Sequence, residues 1–150
     1  MKDLTNFLLE NFQDYKQQIN ACKKIFLQEL QFRAKFDKKD VANTLKKVNG
    51  EVAPNLAIGL IEFQDFAKTA SRIQDRTSQA MMMKHFVNAS KSYKTGVNVY
   101  QTLADDVDTL NIDTISKCFV ATIYFGKLFD LHIQTLQKMQ SNQYFFEKEF

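Results

Sequence analysis

Two histidines, His85 and His132, and two cysteines, Cys22 and Cys118, are the side chains of this chain best suited to holding a metal or attacking an electrophile. Neither histidine has a companion at ligand spacing: the sequence contains no Glu-x-x-His, no His-x-x-x-His and no Cys-x-x-Cys. A di-metal site in a helical bundle draws carboxylates from several helices together with a Glu-x-x-His signature, and glutamates are sparse here. Ser71, Ser78, Ser90 and Ser116 lack a nucleophile elbow, and no glycine-rich loop is present to cradle a phosphate. The chain therefore reads as non-catalytic, with no metal and no cofactor expected. His85 and His132 are expected at the surface or edge of the fold, and the cysteines as buried thiols in apolar stripes, the arrangement of a reducing compartment.

Charge offers more than nucleophiles do. Lys68, Arg72 and Arg76 recur every four residues, which places them on one side of a helix. Lys84, Lys91 and Lys94 prolong that basic stripe. Such a surface suits lipid headgroups or an acidic partner, each lysine or arginine contributing about 1 kcal/mol close to an anionic bilayer; an ordinary solvated face is the alternative. The net charge of +3 is too small to imply nucleic acid, and none is expected as a partner. Met81-Met82-Met83 offers an adaptable contact surface or simple packing. Three consecutive positions cannot share one helix face, so at least one of these methionines is expected to be exposed.

The elements carrying these residues must be helices. One proline, four glycines and fourteen phenylalanines, with apolar residues at steps of three and four, point to an all-α chain. At 150 residues it is expected to form a single domain over 1–150. Leu8, Phe12, Tyr15, Ile19, Cys22, Phe26, Leu30 and Ala34, continuing to Val41, Leu45 and Val48, predict a first helix of about 40 residues or roughly 60 Å, bent near Asp37. Gly50 and Pro54 mark a corner, glycine ending one helix and proline opening the next. A second pattern runs from Leu56 through Leu60, Phe63, Ala67, Ala70 and Ile73. It loosens beyond Arg76, and Gly96 with Val97 and Val99 predicts a break near 95–98. Asp105, Asp106, Asp108 and Asp113 surround a turn, after which Asn111 or Asp113 can cap a third helix. That helix carries Ile115, Phe119, Thr122, Phe125, Phe129, Ile133, Leu136 and Met139.

Three long antiparallel helices in a coiled-coil bundle is the expected architecture. Their apolar faces are wider than a two-helix seam requires, so a second chain is expected to cover part of them. Leu4, Phe7, Leu8 and Phe12 fit either the start of the first helix or a turn that skims a membrane. No apolar run reaches the roughly 20 residues that span a bilayer. The first residues, with Asp3 and Glu10 and no arginine, differ from secretory and mitochondrial leaders. The expected location is intracellular, peripheral to a membrane.

The segment "RAKFDKKDVANTLKKVNGEVAPNLAIGLIEFQDFAKT" resembles the Chibby-interacting, ciliary-type BAR-domain proteins. Arg33, Asp37 and Lys38 match the basic end of that family's first helix, and Pro54, Leu56, Gly59, Leu60 and Phe63 match the opening of its second. The resemblance covers residues 20–75, with a looser likeness along the aromatic third helix. It implies a dimer of three-helix chains, formed with a second copy or a related chain, that scaffolds or shapes membranes. The expected setting is a cilium or basal body, or the mitochondrion. Leu56, Gly59, Leu60, Phe63, Phe119 and Phe129 would then pack the bundle or the dimer. Two features depart from the family: the segment between the second and third helices is short, and the tip carries Asp105, Asp106, Asp108 and Asp113 where lysines usually meet lipid. The alternative reading is an accessory subunit of a large organelle assembly, such as a mitochondrial inner-membrane complex or a ciliary structure. There Tyr144, Phe145, Phe146 and Phe150 would be an insertion anchor.

Overall fold

The computed structural model describes residues 2–35, 39, 43 and 76–141, and among them the fold is all-α. Three long helices make it up: α1 (Lys2–Arg33), α2 (Arg76–Asp105) and α3 (Ile112–Ser141). A single 3-10 turn, Val107–Thr109, lies between α2 and α3.

Helix α1 forms because Leu8, Phe12, Ile19, Cys22, Phe26 and Leu30 fall on one side of a segment free of glycine and proline, and all six are buried. It ends sooner than the sequence pattern predicts. Lys35 takes a φ of 54°, in the left-handed region that cannot continue a right-handed helix. Ala34 still donates its N–H to the Leu30 carbonyl at 2.9 Å, closing the last turn. Arg33 then ties this end down, donating to the Leu110 carbonyl at 2.8 Å and lying 3.7 Å from Glu29. The expected bend at Asp37 and the corner at Gly50 and Pro54 lie outside the described residues.

Helix α2 runs unbroken through 95–98, where a break was expected. Packing explains the difference. A Cβ on Gly96 would sit 3.2 Å from Cζ of Phe125, so the glycine makes room for that ring rather than interrupting the helix. Val97 beside it is only 1% exposed, and its burial offsets the modest helix preference of a β-branched residue.

Helix α3 starts at a side-chain cap. The Thr114 N–H donates to Oδ1 of Asn111 at 2.8 Å, satisfying one of the amides that a helix start leaves without a partner. Asp113 sits in the first turn, where a carboxylate complements the helix dipole, and lies 3.0 Å from Lys117. Asn111→Ala is expected to cost about 1 kcal/mol. Urea unfolding should show this as a lower midpoint at unchanged slope, and an unaltered midpoint would refute the cap.

Cross-helix pairs fix the topology. Asn6 bonds Gln140, Lys16 pairs with Asp130, and Arg33 reaches Leu110, so α3 is antiparallel to α1. Phe12 meets Phe86, Tyr15 lies 3.5 Å from Ser90, and Gln18 bonds Gln101 at 3.0 Å, so α2 runs parallel to α1, which corrects the expectation of three antiparallel helices. The end of α1 and the start of α2 therefore stand at opposite poles of the bundle. One core cluster, around Leu8, Phe12, Phe86, Phe129 and Leu136, fills the pole where α1 begins. A second, around Cys22, Phe26, Ala104, Ile115 and Phe119, fills the pole of the α2–α3 turn. Phe119 and Phe129 are thus covered within one chain.

Candidate functional site

The surroundings of the histidines, cysteines and Ser90 decide whether these side chains can react. His132 stands one turn after Phe129 and one before Leu136, which puts it in the core stripe of α3 and leaves it 2% exposed. This corrects the expectation that both histidines lie at the surface or edge. Its ring stacks on Phe12 at 5.1 Å, while Phe86 meets it edge-on at 5.5 Å. Its Nε2 lies 3.0 Å from the Tyr93 hydroxyl, which makes the burial tolerable. Burial, reinforced by nearby His85, pushes the His132 pKa down to about 4. Burial likewise raises the Tyr93 phenol. At neutral pH both groups are uncharged.

His85 is exposed at the rim of this cluster, 6.3 Å from His132, and partial burial lowers its pKa. Cys22 and Cys118 are free, buried thiols. Burial raises both pKa values, with Asp105 adding to the effect at Cys22. They are therefore protonated at neutral pH and weakly nucleophilic. Ser90 is buried against Tyr15. Among the described residues no group of three or more His, Cys, Asp or Glu side chains could hold a metal ion. What these residues do visibly is pack: the His132–Tyr93 pair, joined through Nε2, is a polar element of an aromatic core.

The outward side of α2 is a different environment. Lys84, Lys91 and Lys94 are all exposed, and no carboxylate occurs in this helix before Asp105. Lys84 and Lys91 project opposite the stripe formed by Met82, Phe86, Tyr93 and Val97, with Lys94 beside them. Along the helix the three lysines span about 15 Å. Among the described residues none of them has an ion-pair partner, in contrast to Lys16 with Asp130. Two large apolar side chains share this side, Met81 at 59% and Val99 at 52% exposed. The methionine run therefore divides as its spacing requires, with Met82 and Met83 inside. Beyond Lys94 the sign reverses: Asp105, Asp106, Asp108 and Asp113 are all exposed around the turn.

Of the other basic candidates, Arg76 opens α2, while Lys68 and Arg72 lie outside the described residues. So do Leu56, Gly59, Leu60 and Phe63, and the aromatic tail Tyr144, Phe145, Phe146 and Phe150. The first turns of α1 are not a membrane-skimming element: Leu8 and Phe12 are core residues and Leu4 packs against them, leaving Phe7 outside. Among the described residues no helix is long and apolar enough to cross a membrane. No protein-family model, curated protein or solved structure matches this chain.

Proposed function

We propose that this protein is a non-catalytic helical scaffold that lies on an anionic membrane surface through the outward side of α2. The observation that carries this reading is the set of exposed lysines, Lys84, Lys91 and Lys94, on a helix without a carboxylate before Asp105. A solvated helix face ordinarily interleaves both signs, because opposite charges three or four residues apart stabilise one another. Here α2 forgoes that contribution along most of its length. An anionic surface supplies the missing countercharge, and a membrane supplies it in a plane that matches a straight helix. Met81 and Val99 then rest among headgroups rather than in water. The acidic turn sets the limit of this contact, since anionic lipid repels Asp105, Asp106 and Asp108.

Vesicle co-sedimentation of the full chain tests the reading. Binding is expected to phosphatidylserine-containing vesicles and to be absent from purely zwitterionic ones, weakening as salt rises. Reversing Lys84, Lys91 and Lys94 to glutamate should reduce partitioning on the order of 100-fold or more, at about 1 kcal/mol per lost lysine. Salt-insensitive binding, or binding unchanged in the triple variant, removes the lipid role. A chain that ignores vesicles altogether favours the alternative of protein contacts within a larger assembly.

A further inference from the structure

The placement of α1 and α2 imposes a return path on the chain between them. Helix α1 ends beside Leu110, at the pole of the α2–α3 turn, while α2 begins at the other pole. Residues 36–75, of which only 39 and 43 are among the described residues, must therefore travel the length of the bundle. That length is about 48 Å, the rise of a 32-residue helix.

Among the described residues one apolar track runs that way. The outward side of α1 carries Glu10, Asp14, Gln17 and Lys24, and that of α2 carries Lys84 and Lys91. Helix α3 differs. Besides its core stripe it has a second one, Val120, Tyr124, Leu128 and Leu131, at steps of four, four and three and all half-buried. Gly126 and Asp130, which face α1, lie on the other side of the helix. Among the described residues Val120, Leu128 and Leu131 join neither core cluster. A helix apolar on two sides is one that neighbours cover on both. Beside this stripe runs the edge of α2 that carries Ala89, Ser92 and Gly96, small residues that leave a furrow between the two helices. Its floor is the rings through which they meet, Tyr93 against Phe129 at 5.3 Å and Tyr100 against Phe125 at 5.5 Å.

We propose that residues 54–75 dock in this furrow, on the side of the bundle away from α1, with Leu60 and Phe63 seated on Leu128 and Leu131. The sequence supplies the matching face: Leu56, Leu60, Phe63, Ala67, Ala70 and Ile73 recur at steps of three and four after Pro54. A helix from Pro54 to Asp75 rises about 33 Å, most of the return path. Counting equal rises to either side of Arg76 sets Phe63 level with Ala89 and Leu60 level with Ser92. The Tyr93–Phe129 and Phe86–His132 contacts bring those levels of α2 to Leu131 and Leu128 of α3. Large side chains thus meet small ones on α2 and apolar ones on α3. Both ends of the segment are tethered to the bundle, so it outcompetes a separate partner at ordinary protein concentrations. Lys68 and Arg72 fall on the side opposite Phe63 and point to solvent. The chain then runs up and down four times, as in a four-helix bundle. The docking holds whether or not α2 meets a membrane.

Disulfide trapping in the full chain tests this, with circular dichroism verifying the fold of each variant. Leu60→Cys with Ser92→Cys should form an intramolecular disulfide on mild oxidation, read as a faster non-reduced band and a joined peptide. The native cysteines are buried and do not compete. Leu60→Cys with Lys91→Cys, on the outward side of α2, should link about tenfold less, because a disulfide needs adjacent Cβ atoms. A link equal in the two pairs, or none in either, overturns the proposal. So does a link formed only between chains, which gives the furrow to a second copy. The unaltered protein supplies a second reading by hydrogen exchange. Amides of 56–73 should exchange about 100-fold or more slower than in an unstructured chain, and exchange at the unstructured rate overturns the docking.

Discussion

Replacing Phe12 by alanine is expected to remove about 4 kcal/mol of stability, the middle of the range for truncating a buried phenylalanine. Phe12 is 0% exposed and stands where all three helices meet. Tyr15 flanks it on α1, Phe86 and Tyr93 approach from α2, and Phe129 and His132 from α3. Ring separations of 5.1 to 6.3 Å leave no neighbour able to fill the space left by the ring without giving up its own contacts. The variant also removes the surface on which His132 stacks, so a neutral imidazole would border a cavity rather than a ring. A domain of this size has only about 5–15 kcal/mol in total, so the loss is a large fraction of it. Chemical denaturation should show a much lower midpoint. Phe7→Ala serves as the control: that ring is mostly exposed, and its loss should cost under about 0.5 kcal/mol. A Phe12 effect no larger than that of Phe7 would mean that the three helices do not close around it.

How much of this was legible in the sequence depends on the signal each feature left. The core positions of α1 and α3 were readable because steps of three and four leave no choice of face: Phe12, Phe26, Phe119 and Phe129 are buried as their spacing demands. The cap of α3 was readable only as far as Asn111 or Asp113, because either short side-chain oxygen can accept an orphan amide, and the structure gives that bond to Asn111. Gly96 misled, since its role concerns the Phe125 ring on another helix and propensity records only the local cost. The end of α1 misled for a similar reason. The left-handed backbone of Lys35 has no sequence mark, because lysine does not favour that conformation. His132 had a signal that residue type obscured. Its place between Phe129 and Leu136 is a core position, and only the polarity of imidazole argued otherwise. The hydroxyl that settles the matter belongs to Tyr93, thirty-nine residues away in sequence, and no local pattern points to it. The exposed lysines of α2 were legible as a stripe, but their lack of partners could be read only once the helices were placed.

Acid should destabilise this protein through His132, well above the pH at which carboxylates protonate. The imidazole titrates near 6.5 in an unfolded chain, whereas burial and then the proximity of His85 hold its folded pKa at about 4. Above pH 6.5 both states are neutral and the group contributes no pH dependence. Between the two values the unfolded chain binds a proton that the folded chain refuses, so stability falls as pH falls. The decline is complete below about pH 4, where both states are protonated, and the interval corresponds to a loss on the order of 3 kcal/mol. His85, whose pKa is lowered by partial burial, adds to the loss with the same sign. Tyr93 adds nothing in this range, because its raised pKa keeps it neutral throughout. Unfolding free energies measured between pH 7.5 and pH 4 should therefore slope downward from near neutrality. His132→Gln should start from a lower plateau, having lost the stacking on Phe12, and should lose most of the slope. A wild-type profile that stays flat down to pH 4 would show that the imidazole is not held neutral in the core. A His132→Gln profile parallel to wild type would assign the acid sensitivity to other groups.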